Sequence, residues 1–119
     1  LATDPPLFEL AARMVGELGK SKGDHPDAGA VVGVTRPEIG ARVREVLPEA
    51  LFLSPGYGAQ GGDASGVSPL LDRHGGGVLV NSSRSILYAY ETSSTDHKKA
   101  AAEAARRTRD ELRQAGAHL

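Results

Sequence analysis

Two short segments of this chain hold the residue types and spacing that fit chemistry. Ser54-Pro-Gly-Tyr-Gly-Ala-Gln-Gly-Gly62 carries four glycines, a composition that no helix or strand interior would use, and Asn81-Ser-Ser-Arg84 follows a short apolar run. Glycine lets a backbone come close to a ligand and turn its amides towards it, and a helix N-terminus adds the positive end of a dipole. A guanidinium such as that of Arg84 can hold two phosphate oxygens at once. Together Gly56 to Gly62 and Asn81 to Arg84 describe a pocket for a phosphomonoester. Gln60 is the one long side chain of its loop with both a donor and an acceptor, so it could bridge the phosphate to a heterocycle.

Other chemistries are weaker on the same residues. Gly56, Gly58 and Gly61 also spell Gly-x-Gly-x-x-Gly after a strand, which invites a dinucleotide-binding reading. That fingerprint wants a carboxylate about 20 residues on to hold the ribose hydroxyls, and Gly77 to Asn81 offer none. Arg84 could instead meet the extra phosphate of NADP, so an NADP-binding oxidoreductase domain stays open. His25, His74, His97 and His118 have no second ligand at metal spacing, so no metal is expected. Ser82 and Ser83 lack a His or Asp partner in a triad arrangement. Tyr57 either stacks on a base or packs on its own rim. Arg106, Arg107, Arg109 and Arg113 are balanced by Glu103, Asp110 and Glu111 and read as a solvated helix face.

The elements that must position these loops follow from apolar periodicity. Leu7, Leu10, Ala11, Met14, Val15 and Leu18 recur at helical spacing, which predicts a helix over 5–19 started by Asp4, Pro5 and Pro6. Ala30 to Val34 is a continuous apolar run, as in a strand covered on both faces. Thr35 and Glu38 have capping-box spacing, which predicts a second helix over 36–47 with Ile39, Val43, Val46 and Leu47 inward, stopped by Pro48. Leu51 to Leu53 form a second buried strand. Asp63 caps a short third helix carrying Val67, Leu70 and Leu71, closed by Gly75 to Gly77, and Val78 to Val80 form a third strand. Lys99 to Gly116 is an alanine-rich, charged helix whose only large apolar residue is Leu112, expected to cover a surface without building a core.

The fold class is therefore α/β with parallel strands. Three such strands are few, since a (β/α)₈ barrel normally needs about 250 residues and this chain has 119. It opens on Leu1 and reads as a piece of something longer. Fourteen Lys plus Arg against fifteen Asp plus Glu leave a charge of -1, which argues against a general nucleic-acid binder. Without cysteine there is no disulfide framework and no thiol nucleophile, and no apolar run approaches the roughly 20 residues of a membrane span.

Val31-Val-Gly-Val-Thr-Arg-Pro-Glu38, Phe52-Leu-Ser-Pro-Gly-Tyr-Gly-Ala-Gln-Gly-Gly62 and Val80-Asn-Ser-Ser-Arg-Ser-Ile-Leu-Tyr-Ala89, in this order and spacing, resemble the last three strand-loop units of orotidine 5′-phosphate decarboxylase, in its longer bacterial subfamily. The resemblance covers Pro5 to Tyr90. It implies the C-terminal part of a (β/α)₈ barrel over 1–90, with 91–119 a C-terminal helix covering it. It further implies a lyase of pyrimidine biosynthesis that turns orotidine 5′-monophosphate into uridine 5′-monophosphate (UMP) and carbon dioxide, without a cofactor, in a cytoplasmic homodimer. By position, Gln60 resembles the family glutamine that contacts phosphate and pyrimidine, and Arg84 the phosphate-binding arginine, with amides around Ser83 and Arg84 as further donors. Pro55, Gly56, Tyr57, Gly58 and Gly61 fall in the same loop, with Pro55 as a wall facing the base. Thr35 stands at the ligand end of its strand, as a helix cap first.

The family's chemistry rests on an Asp-x-Lys-x-x-Asp array and a further lysine on earlier strands. Asp96-His-Lys98 echoes the first half of that motif, but Ala101 stands where its second aspartate should be. The resemblance thus implies a chain that holds the phosphate grip, lacks the catalytic residues and is inactive by itself. A non-catalytic half-barrel that binds a phosphate ligand is the other alternative.

Overall fold

A computed structural model describes residues 4–20 and 26–118 of the chain. His25 lies outside them. In order come α1 (Leu7–Leu18), β1 (Ala30–Val31), α2 (Pro37–Val46), β2 (Phe52–Ser54), α3 (Ala64–Val67) with a 3₁₀ turn at Ser68–Leu70, β3 (Val78–Val80), α4 (Ser83–Leu87) with a 3₁₀ turn at Ala89–Thr92, and α5 (His97–Gln114). The strands form one parallel sheet in the order β1-β2-β3, with Ala30 beside Phe52 and Phe52 beside Val78. Although β1 is only two residues long, backbone pairing continues past it, because the amides of Val32 and Val34 donate to the carbonyls of Leu53 and Pro55.

Several local expectations need correction. Helix α1 starts at Leu7 and not at Pro5, since Pro5 precedes another proline and is pushed out of the helical region, and Pro6 is the extended cap (ψ 154°). Its packed face is also not the leucine stripe. Glu9 and Ala12 are buried, whereas Leu7, Leu10, Met14 and Leu18 are exposed. The Glu9 carboxylate accepts from Arg13 (2.8 Å) and from Arg42 of α2 (2.9 Å), which holds it below the usual carboxylate range and ties the two helices together.

The Thr35–Glu38 capping box does not form. Pro37 takes the first helical position, so the cap falls to Arg36, which has no side-chain cap bond and whose Nε donates to Glu38 Oε1 (2.6 Å) instead. On α2, Val43 and Leu47 are buried as expected, with Ile39 and Val46 half-buried, but Gly40 and Arg44 share that inner face. A Cβ at Gly40 would stand 2.3 Å from Leu70 Cδ1, so the missing side chain lets α2 close on the 3₁₀ turn.

Phe52, Leu70, Val34 and Val67 are fully buried and centre the core, which takes in Val32, Val43, Leu47, Ala50, Tyr57 and Leu112. Leu112 thus joins the core, and α5 does more than cover a surface.

Among the described residues the strands, expected to be covered on both faces, are covered on one. Val31, Leu53 and Leu79 pair in one register row and remain 70%, 45% and 56% exposed, while Phe52 and Ser54 on the opposite face are shielded completely. The described elements supply one covering layer. The second face of the sheet is an apolar surface open to solvent.

Candidate functional site

The site is built at the carboxyl ends of β2 and β3. Beyond Ser54 the chain turns sharply, with Gly56, Gly58 and Gly61 at φ 97°, 75° and 90°, values that side chains beyond glycine rarely adopt. The loop then closes on itself: the Gly58 amide donates to the Gly62 carbonyl (2.7 Å), Gly61 to Gly58 (2.8 Å) and Gly62 to Gly56 (3.0 Å). Asp63 ends it as expected, its Oδ1 accepting from the amides of Ser65 (2.9 Å) and Gly66 (3.2 Å) at the start of α3.

Next to this loop, β3 delivers Asn81 to Arg84. A small cavity of about 90 Å³ is lined by Pro55, Gly56, Tyr57, Ala59, Gln60, Asn81, Ser83 and Arg84. It unites six of the eight residues expected from the sequence; Gly58 and Gly61 shape the loop without lining the cavity. Gln60 folds back across the loop, so that a Cβ on Gly56 would lie 3.3 Å from its Oε1. The same Cβ would lie 3.3 Å from Thr35 Cγ2, which puts Thr35 at the rim of this end of the sheet.

Arg84 is exposed, and among the described residues its guanidinium pairs with no carboxylate. The amides of Ser83 and Arg84 open α4, where no earlier turn supplies acceptors. Ser83 Oγ donates to Asn81 Oδ1 (3.0 Å), a partner that sequence reasoning placed in the loop but not in the site.

Tyr57 takes the packing alternative. Its ring is buried at 6% exposure and its hydroxyl donates to Glu111 Oε2 on α5 at 2.5 Å, so it offers no stacking face to a base. Burial together with the Glu111 carboxylate pushes the phenol well above its ordinary range, and it remains a donor at any physiological pH. The sequence places Glu111 only on a solvated helix face, and its bond to Tyr57 is not legible there because 54 residues separate the two.

Of the remaining candidates, His97 lies beside Asp96 (3.2 Å), His74 beside Arg73 (3.0 Å), and the His118 amide donates to Gly75. Among the described residues no three His, Asp or Glu side chains gather as metal ligands would, and no helix is long and apolar enough to cross a membrane.

No protein-family model matches the chain. Curated relatives do. The chain is 46% identical over 94 residues to the orotidine 5′-phosphate decarboxylase of Caldicellulosiruptor bescii, which covers 76% of this chain and 31% of the relative. It is 42% identical over 117 residues to that of Delftia acidovorans, covering 98% of this chain and 41% of the relative. Among solved structures, one from Toxoplasma gondii assigned as an orotidine monophosphate decarboxylase superposes with a TM-score of 0.73 at 29% identity, over 96% of this chain and 43% of that one. The UMP synthase of Leishmania donovani gives 0.69 at 32% identity, over 92% of this chain and 23% of that one. The chain spans less than half the length of these relatives. Over that part of their length, in sequence and in fold, the chain is a homologue of the orotidine 5′-phosphate decarboxylases.

Proposed function

We propose that this chain is the C-terminal, phosphate-gripping part of an orotidine 5′-phosphate decarboxylase, with Gln60, Ser83 and Arg84 on the phosphate and Pro55, Gly56, Tyr57, Gly58 and Gly61 shaping the loop beside it. Residues 1–90 supply the last three strand-helix units of a (β/α)₈ barrel, and 91–119 the helix that braces them. The observation that carries this reading is the cavity in which Gln60 and the unpaired Arg84 meet across two neighbouring strand ends. Its size suits a phosphate group and not a whole nucleotide, as expected where the base would lie over strands beyond this chain.

The apolar row of Val31, Leu53 and Leu79 supports the barrel reading, because a barrel turns that face into a packed interior. The short α3, four residues long, is a poor platform for a dinucleotide pyrophosphate and weighs against the NADP alternative.

In the complete enzyme the lysine and aspartates of earlier strands carry the loss of carbon dioxide and protonate the carbanion left at C6. This chain's residues hold the remote phosphate. Contacts there help drive ring distortion and loop closure, so they raise turnover as well as affinity. Homodimerisation and a cytoplasmic setting belong to the same proposal.

The test is titration of UMP into the chain, followed by the amide resonances of Ala59, Gln60, Ser83 and Arg84. Arg84→Ala is expected to weaken binding by about 1.5–3 kcal/mol, the scale of a hydrogen bond to a charged group. Unchanged affinity, or protection against heat by NADP and not by UMP, would overturn the assignment. UMP binding with a stable isolated fold and no catalytic partner in the source organism would favour the non-catalytic half-barrel.

A further inference from the structure

We propose that Glu111, on the C-terminal helix, is a positioning residue for the anion-binding loop, acting through the hydroxyl of Tyr57. The proposal rests on the phosphate-site reading and deepens it. Tyr57 stands between two glycines in the left-handed region, so the backbone on either side is free to reverse, and the place where the ring is pinned decides the course of the loop.

Three bonds do the pinning. The hydroxyl reaches Glu111 Oε2 at 2.5 Å, the Tyr57 carbonyl accepts from the buried Ser82 Oγ at 3.2 Å, and the Ala59 amide donates to Ser85 Oγ at 3.0 Å. The fit is close, since a Cβ on Gly58 would lie 2.3 Å from that Ser85 oxygen. Two of the tethers run to the start of α4, beside Arg84. The third runs to α5, where the adjacent Leu112 is buried in the core and fixes this turn of the helix.

Helix α5 therefore sets the spacing between the Gln60 loop and Arg84, although none of its residues lines the cavity. A carboxylate suits the task because the buried phenol needs one acceptor that is itself supplied from a solvated edge. Glu111 is exposed, so losing the bond returns it to water at small cost to the fold and larger cost to loop order.

The test compares Tyr57→Phe, Glu111→Ala and Glu111→Gln in the full chain. Amide hydrogen exchange should quicken about tenfold at Gly58, Gly61 and Gly62 in the first two variants, with Val32 and Phe52 in the sheet unchanged. UMP affinity should fall about three- to tenfold in parallel. Glu111→Gln keeps an oxygen to accept from the phenol and should restore both. Loop exchange that does not move, or sheet amides that quicken as much as loop amides, would overturn the proposal. Arg84→Ala serves as the independent control. If it leaves UMP affinity unchanged the phosphate-site reading falls, whereas the exchange data still decide whether Glu111 positions the loop.

Discussion

The two ends of the three-stranded sheet use arginine in opposite ways. At the amino ends Arg44 is buried, its Nε donating to the carbonyl of Leu70 (2.7 Å), Nη1 to Leu47 (3.0 Å) and Ala50 (2.7 Å), and Nη2 to Gly77 (3.0 Å), with the guanidinium 3.7 Å from the centre of the Phe52 ring. At the carboxyl ends Arg84 is exposed and bonds to no carboxylate among the described residues. One arginine gathers the end of α2, the 3₁₀ turn and the starts of β2 and β3. The other is held out over a cavity. The fold satisfies its polar groups where they secure structure and leaves them open where a ligand can satisfy them, the division that barrels make between their bottom and top faces.

The largest effect should come from breaking the satisfied end. Arg44→Met keeps much of the volume but removes every donor, so the buried carbonyls of Leu70 and Ala50 lose their partner, while those of Gly77 and Leu47 keep the amides of Phe52 (2.9 Å) and Ala50 (3.4 Å). A loss of about 2–6 kcal/mol is expected in denaturant unfolding, at about 1–3 kcal/mol for each buried carbonyl left unsatisfied. UMP affinity, measured where the variant is still folded, should not change. An Arg44 variant that keeps its stability but loses ligand would reverse the assignment of the two ends. Burial lowers the pKa of this guanidinium, but the nearby carboxylates of Asp72 and Glu49 oppose that shift, and arginine stays charged regardless.

Ser54 sharpens the same contrast with a smaller effect. It ends β2 on the covered face, is fully buried, and its Oγ has no hydrogen-bond partner among the described residues. An unsatisfied buried hydroxyl costs free energy, so Ser54→Ala should hold or raise stability by up to about 1 kcal/mol. Thermal unfolding checks it. A clear loss of stability would show that the hydroxyl has a partner after all, and that the ligand end is as fully satisfied as the other.

What the sequence made legible follows the range of each interaction. The strand-loop order, the Asp63 cap and the glycine turn are local, and residue type alone announces them. Arg44 was not legible, because its acceptors are backbone carbonyls from three separate segments and no side chain in the sequence marks a carbonyl as needing a donor. Glu9 misled for a related reason. Periodicity puts the leucines of α1 inward, whereas it is Glu9, bonded to Arg13 and Arg42, that is buried beside α2 while the leucines lie exposed among the described residues. The Tyr57–Glu111 bond joins positions that only the tertiary fold brings together.

The smallest effect separates the ends by pH. Asp63 at the carboxyl end is held below the usual carboxylate range by the Ser65 hydroxyl (2.6 Å) and then by the Gly66 amide. At the amino end Asp72 is held down first by the Gly76 amide (2.9 Å), with the His74 amide and the charge of Arg44 adding to it. In both cases the unfolded chain takes up a proton near pH 3.9 and the folded chain only below that. Each carboxylate therefore contributes stability that is present above about pH 3.9 and is lost as pH falls through the folded value. Asparagine can accept the same amide bonds at a cap but cannot titrate. Asp63→Asn should thus melt close to the wild type at neutral pH and lose less stability between about pH 4 and pH 2. Asp72→Asn should already be weaker at neutral pH, since it forfeits the attraction to Arg44 as well. Equal neutral-pH melting of the two variants would mean that the charge beside Arg44 adds nothing, and that the amino end is secured by its carbonyl bonds alone.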